Sequence, residues 1–220
     1  MTQDTGIQGP TGERLRLDDP ERAVLEAALD EIRQGGYREG SLARIAAAAG
    51  ITADELHRRF PDERELLVDT LRFRDDRGID LLPEDPGDGR AMLQAFIDVA
   101  RFNSETPGSV ELFSMMATAA TAPDHPGHEY FRDRYAWHRE LLVDALRELE
   151  EEGELRKRAD PEEVAAQAIA LLDGLQVQWL LDRGAIDLER LVRSFLNQHL
   201  YTPLEPSAAA PPAHLSAASS

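Results

Sequence analysis

The sequence predicts an all-α chain of about nine helices, and three observations carry that prediction. Apolar residues recur at the three- and four-residue spacing of a single helical face along most of the chain. Glycine and proline interrupt the spacing at Gly35-Gly36, Gly50, Pro61, Pro107-Gly108, Pro126-Gly127, Gly153 and Gly184. Where it restarts stand side chains able to accept from the free amides of a helix start: Asp18 or Asp19, Ser41, Thr52, Asp62 and Asp160.

Residues 1–17 are polar and rich in glycine, and read as a flexible arm. Pro20 suits the first turn of a first helix that buries Val24, Leu25, Ala28, Leu29 and Ile32 and stops at Gly35-Gly36. Tyr37 then plugs the loop. A short helix from Ser41 to Ala49 presents Leu42, Ile45, Ala46 and Ala49 on one side, and Gly50 supplies the left-handed turn that ends it. A second short helix, about Ala53 to Arg59, sets Leu56 and Phe60 four residues apart. Two helices crossing steeply over so tight a turn need a small residue at the crossing, and Ala46 provides it. Residues 18–62 therefore read as a helix-turn-helix domain. A longer helix within 63–82, burying Leu66, Leu67, Thr70, Leu71 and Phe73, connects it to the rest.

After the break at Pro83, Pro86, Gly87 and Gly89, residues 87–201 read as five helices: about Arg90–Ser104, Ser109–Ala120, His128–Glu152, Pro161–Asp182 and Asp187–Leu200. The fourth is apolar around more than one face, as a helix packed on two sides would be. From Thr202 to Ser220, alanine, proline and serine dominate, predicting a disordered tail.

Arg22, Leu25, Ala28, Ile32, Gly36-Tyr37, Ser41-Leu42, Ile45-Ala46, Ala49-Gly50-Ile51-Thr52, Leu56, Phe60-Pro61 and Glu65-Leu66-Leu67 together resemble the DNA-binding domain of TetR-type (TetR/AcrR) transcriptional regulators. Gly153 to Glu162, with Asp173-Gly174-Leu175 and Gln178 to Asp182, is similar to the C-terminal regions of that family. The resemblance implies a ligand-responsive regulator, a repressor, that binds palindromic double-stranded operator DNA as a homodimer and is released by a small apolar or amphipathic effector. Thr52, Ala53, Asp54 and His57 would face bases or nearby phosphates, Arg44, Arg58, Arg59 and Arg64 would supply charge, and Ser41 would donate to phosphate. Phe96, Asn103, Phe113, Met116, Trp137, His138, Gln176 and Trp179 would line the effector cavity. Leu171, Leu175, Leu188, Leu191 and Phe195 would form the dimer interface.

The chain departs from the family pattern at three places. Asp54 stands where a glycine is usual, His57-Arg58-Arg59 where the family carries an aromatic pair with His or Tyr, and Glu63 where a lysine is usual. Acids at 54 and 63 repel phosphates, so a TetR-like protein with weakened or lost DNA binding stays open as an alternative. The net charge of −18 points the same way, but its distribution answers part of it. Residues 38–64 balance five arginines with five acids, whereas residues 78–220 carry 12 basic against 25 acidic side chains.

Other classes find little support. Cysteine is absent, excluding disulfides and thiolate metal sites. His125 and His128 are three apart, but Pro126-Gly127 between them marks a turn and no third ligand follows, so no metal is expected. Without nucleophile-elbow, phosphate-loop or dinucleotide motifs, neither an enzyme nor a cofactor is expected. The N-terminus lacks a leader pattern, and no apolar run approaches the roughly 18 residues of a membrane helix. The expected location is the cytoplasm, away from membranes.

Overall fold

The computed structural model describes residues 15, 17–78, 82–83 and 87–206. Among them the chain forms nine α-helices and no strand: α1 (Asp19–Gly35), α2 (Ser41–Ala48), α3 (Ala53–Arg59), α4 (Glu63–Gly78), α5 (Gly89–Glu105), α6 (Pro107–Ala119), α7 (His128–Glu151), α8 (Pro161–Leu181) and α9 (Leu188–Asn197).

The local chemistry that starts these helices is visible in the caps. Asp18 accepts from the Glu21 amide while Glu21 reaches back to the Asp18 amide, closing a capping box on α1. Thr52, Asp88, Asp160 and Asp187 each accept from an amide in the first turn of α3, α5, α8 and α9. Ser41 behaves differently from the sequence expectation. Gly40, with φ of 82°, is the N-cap of α2, and the Ser41 hydroxyl instead accepts from the Arg38 amide. Helix α6 begins two residues before the predicted Ser109, because Pro107 fits the first turn where its missing N–H is no loss.

Three apolar clusters form the core. Val24, Leu25, Ala28, Leu29, Ile45, Ala46, Leu56, Leu66 and Phe73 hold α1 to α4 together as a head. Ile32, Leu67, Val68, Leu71, Leu112, Phe113, Met116, Tyr130 and Phe131 form a junction in which α1 and α4 of the head meet α6 and α7 of the body. The largest cluster binds α5, α7, α8 and α9, with Leu93, Ile97, Leu146, Leu149, Leu188 and Leu196 nearly inaccessible. Head and body are thus joined by packed side chains as well as by the α4 backbone. At the junction Gly108 lies against the end of α1. A methyl there would overlap the Ile32 carbonyl oxygen and come within 2.8 Å of the Gly36 amide nitrogen.

Three sequence expectations change here. Leu15 and Leu17 pack on the head, and the Leu15 amide donates to Asp76 at 2.9 Å, so the arm is anchored at its end; residues 1–14 lie outside the described residues. The tail does not begin at Thr202. Leu204 is buried and its backbone is bracketed by the Asn197 side chain at 2.7 and 3.2 Å, while Arg156 and Glu154 hold the chain at His199 and Tyr201 through backbone bonds of 2.8 Å. An isolated leucine in an Ala/Pro/Ser-rich stretch gives too short an apolar signal to predict that docking. Residues 207–220 lie outside the described residues. Lastly, α8 is long and apolar enough to cross a bilayer by length and composition. Its glutamines and Asp173 break up the apolar runs but leave the mean hydropathy high, and Val164, Ala168, Leu172, Leu175 and Trp179 are instead buried in the body core.

Candidate nucleic-acid interface and body clasp

The head presents α3 outward. Gly50 turns the chain with φ of 71°, the Ile51 amide closes back on the Ala46 carbonyl at 3.0 Å, and Thr52 caps the Glu55 amide at 3.2 Å. Leu56 is buried in the head, which aims Ala53, Asp54, His57 and Arg58 at solvent on one continuous face. The sequence identified all four, and the structure brings them together.

The predicted charge donors fare unequally. Ser41 is fully buried and its hydroxyl donates to Glu31 at 2.8 Å, so the proton assigned to a phosphate is already committed. Arg44 binds Glu31 at 2.7 Å, which holds the Glu31 carboxyl below its usual range through that hydrogen bond. Arg59 turns back to Asp18 at 3.6 Å and Glu55 at 3.4 Å, bracing α3 against the cap of α1 rather than facing outward. Arg64 forks onto Asp62 at 2.7 to 3.1 Å, and Arg38 reaches Glu111 of α6 at 2.7 Å. Among the described residues Arg58 alone of these five head arginines carries no ion pair. Each capture comes from an acid two or four residues away, or across a helix contact, that composition alone does not reveal. Burial and the nearby Glu63 carboxylate raise the Tyr37 pKa, so its hydroxyl stays protonated in the loop it plugs.

In the body, four of the eight predicted cavity residues are divided between two cores. Phe96 and Trp179 sit in the α5/α7/α8/α9 cluster, and Phe113 and Met116 in the junction. Gln176 is buried on the Trp179 face of α8, and its Oε1 has no partner. Asn103 is half-buried near the end of α5. Trp137 meets the His138 ring edge to face at 4.7 Å. The His138 ring bonds the Arg134 carbonyl at 2.9 Å; burial and the Arg134 charge push its pKa from 6.5 down to about 3, leaving it neutral.

Beside it lies a cluster the sequence did not reveal. The Asp75 carboxylate, at the end of α4, accepts from Arg134 Nε at 2.6 Å, from the Tyr130 hydroxyl at 2.6 Å and from Arg74 at 3.0 Å. The Phe113 ring covers the Arg134 guanidinium at 4.6 Å and the Arg74 guanidinium at 5.7 Å. Burial alone would raise the Asp75 pKa, but Arg134 and Arg74 overcome it and hold the group ionised far below the usual carboxylate range. Directly after Arg134 on α7, Tyr135 donates to Asp173 of α8 at 2.7 Å. This clasp ties α4, the helix that carries the head, to α7. Its sequence signal was faint, because Arg72 to Arg77 reads as a solvated charged run and Arg134 lies 59 residues away.

His125 and His128 take separate backbone partners, the Gly127 amide at 3.1 Å and the Ala120 carbonyl at 2.8 Å, and so act as turn residues. Of the five predicted interface residues, two are buried within the protomer. Leu175 and Leu188 are buried in their own protomer's core, and Leu171, Leu191 and Phe195 pack partly against it. The outward stripe of α8 runs instead through Ala166, Ala170, Gly174, Val177 and Leu181, with Val177 49% and Leu181 84% exposed.

A helix-turn-helix head mounted on an all-α body defines a helix-turn-helix transcriptional regulator. Residues 24–70 match the model described as bacterial regulatory proteins of the tetR family, and residues 90–202 match that of the BetI-type transcriptional repressor C-terminal domain. The chain belongs to the TetR family of transcriptional regulators. It is 27% identical over 191 residues to the HTH-type transcriptional regulator BetI of Escherichia coli K12, covering 82% of this chain and 94% of that protein. Among solved structures, a TetR regulator from Haloarcula marismortui superposes with a TM-score of 0.67 at 17% identity, covering 84% of this chain and 100% of that one. A transcriptional regulator from Saccharomonospora viridis in complex with choline gives 0.60 at 21%, covering 80% and 93%.

Proposed function

We propose that this protein is a ligand-responsive repressor that binds a palindromic operator as a homodimer in the cytoplasm and leaves it when a small molecule occupies the body. The observation that carries this reading is the outward face of α3, with Ala53, Asp54, His57 and Arg58 exposed on a head whose α1 and α4 share a core with α6 and α7. One seven-residue helix contacts too few base pairs for specific binding; a two-fold dimer sets two such helices in successive major grooves. The exposed α8 stripe, small at Ala166, Ala170 and Gly174 and apolar at Val177 and Leu181, supports pairing with a second copy through close helix contact.

The effector is a small apolar or amphipathic molecule held among α4 to α8. Its binding energy biases the geometry of α4, and with it the spacing of two heads. The Asp75 clasp bonds the end of α4 to α7, so occupancy there or beside it acts on the head directly. The family likeness to BetI and the choline held by the S. viridis relative make choline the first compound to test.

A second reading, weakened or lost DNA binding, is favoured by the capture of Arg38, Arg44, Arg59 and Arg64 by carboxylates. Fluorescence anisotropy with duplex DNA from the region upstream of its own gene separates the two. Saturable binding of two protomers per site, reversed by an effector, supports the repressor. No binding by the wild type, with binding gained in Glu63→Lys, supports the second reading.

A further inference from the structure

The outward face of α3 carries a carboxylate where a DNA-binding surface ordinarily avoids one. Asp54 and Arg58 lie four residues apart on that face, a spacing that sets side chains side by side and commonly yields an ion pair. Among the described residues neither is paired, with the other or with any third group. Its nearest carboxylate neighbours in sequence are engaged otherwise: Glu55 with Arg59, and Asp62 beyond the helix end with Arg64. Asp54 is thus the carboxylate of this helix that stays open, on the same face as Ala53, whose methyl group leaves room for close approach to a surface.

Resting on the DNA-binding reading above, we propose that Asp54 is a specificity-determining residue that selects a cytosine in each operator half-site by accepting from its N4 amino group in the major groove. An ionised carboxylate can only accept. Toward phosphates it is repelled, so the face that tolerates it must point at amino groups on base edges. Two bases offer one in the major groove. Adenine N6 stands beside the N7 acceptor, which repels a carboxylate; cytosine N4 has no acceptor beside it on its own base. Arg58, one turn further along and unpaired, donates to O6 and N7 of a guanine close by. The open pair on α3 is satisfied by a G·C-containing step, and the repulsion from the carboxylate becomes a filter against sites lacking the amino group.

The test is selection from a random-sequence duplex library with the full-length wild type, Asp54→Asn and Asp54→Ala. The wild type is expected to enrich a cytosine at one fixed position of each half-site, by roughly 5- to 150-fold over other bases, the discrimination typical of one good base contact. Asparagine pairs with N6 and N7 of adenine, so Asp54→Asn is expected to move the preference at that position to adenine. Asp54→Ala is expected to lose it while the remaining positions stay selected. Selection that is unchanged at every position in both variants overturns the proposal and leaves DNA reading intact. Uniformly tighter binding of all sequences by both variants also overturns it, since the carboxylate would then act only by repulsion. A wild type that enriches nothing removes the DNA-binding reading and the proposal together.

Discussion

Replacing Asp75 with asparagine tests whether the clasp between α4 and α7 is a desolvated ion network. The carboxylate is held by three donors at 2.6, 2.6 and 3.0 Å, and its side chain and that of Arg134 are only 10% and 13% exposed. Asparagine keeps the shape but removes the charge, and its amide nitrogen must face either a guanidinium or the Tyr130 hydroxyl. Two cations then share an enclosed site without a counter-charge, and breaking such a pair costs about 3–5 kcal/mol. At roughly 2–4 °C per kcal/mol for a chain of this size, the melting temperature should fall by about 6–20 °C. Arg134→Met added to Asp75→Asn removes one of the uncompensated charges and should recover part of that loss. Calorimetry or urea titration of the wild type and the two variants reads the effect. A loss below about 1 kcal/mol in Asp75→Asn would place the cluster among solvated surface pairs and refute the reasoning.

Three further outcomes follow from the same geometry. His138 has its pKa lowered from 6.5 to about 3, so the unfolded chain takes up a proton that the folded one refuses; stability falls as pH drops below about 6.5 and the loss levels off below about 3. At pH 5 this amounts to about 2 kcal/mol, and urea midpoints of His138→Gln should lose that part of the pH slope. Gly108→Ala forces α6 from the end of α1 and should destabilise the fold by about 1–3 kcal/mol, as overpacking does, with DNA affinity becoming less responsive to effector in anisotropy titrations. Leu181→Glu, on the most exposed apolar position of α8, should leave the protomer folded but shift sedimentation to the monomer and abolish two-protomer binding.

The helices were legible because their signals are local. Spacing, Gly50 and the Thr52 cap act within a turn or two, and the resulting α3 face of Ala53, Asp54, His57 and Arg58 emerged as read. Charge partners were not legible. Ser41 looked like a cap and phosphate donor, yet its hydroxyl lies between Glu31 and Arg38, ten and three residues away, and only the crossing of α1 with α2 puts them together. Arg59 and Asp75 failed for the same reason, since Asp18 and Arg134 reach them through tertiary packing. The apolar residues of α8 could not be sorted by side from spacing alone. A helix buried on two faces carries leucines all round, and periodicity cannot say that Leu175 faces home while Leu181 faces out.

The most direct measurement of the central claim is the salt dependence of binding to upstream duplex DNA, for the wild type and Arg58→Ala. With only Arg58 unpaired among the head arginines discussed above, few phosphates are neutralised. Affinity should therefore fall with a shallow log–log slope between about 50 and 200 mM salt, yet still be saturable and sequence-selective, and Arg58→Ala should weaken or abolish it. An affinity that does not change with salt, or an Arg58→Ala protein that binds as tightly as the wild type, would contradict the assignment of the α3 face as the DNA-reading surface.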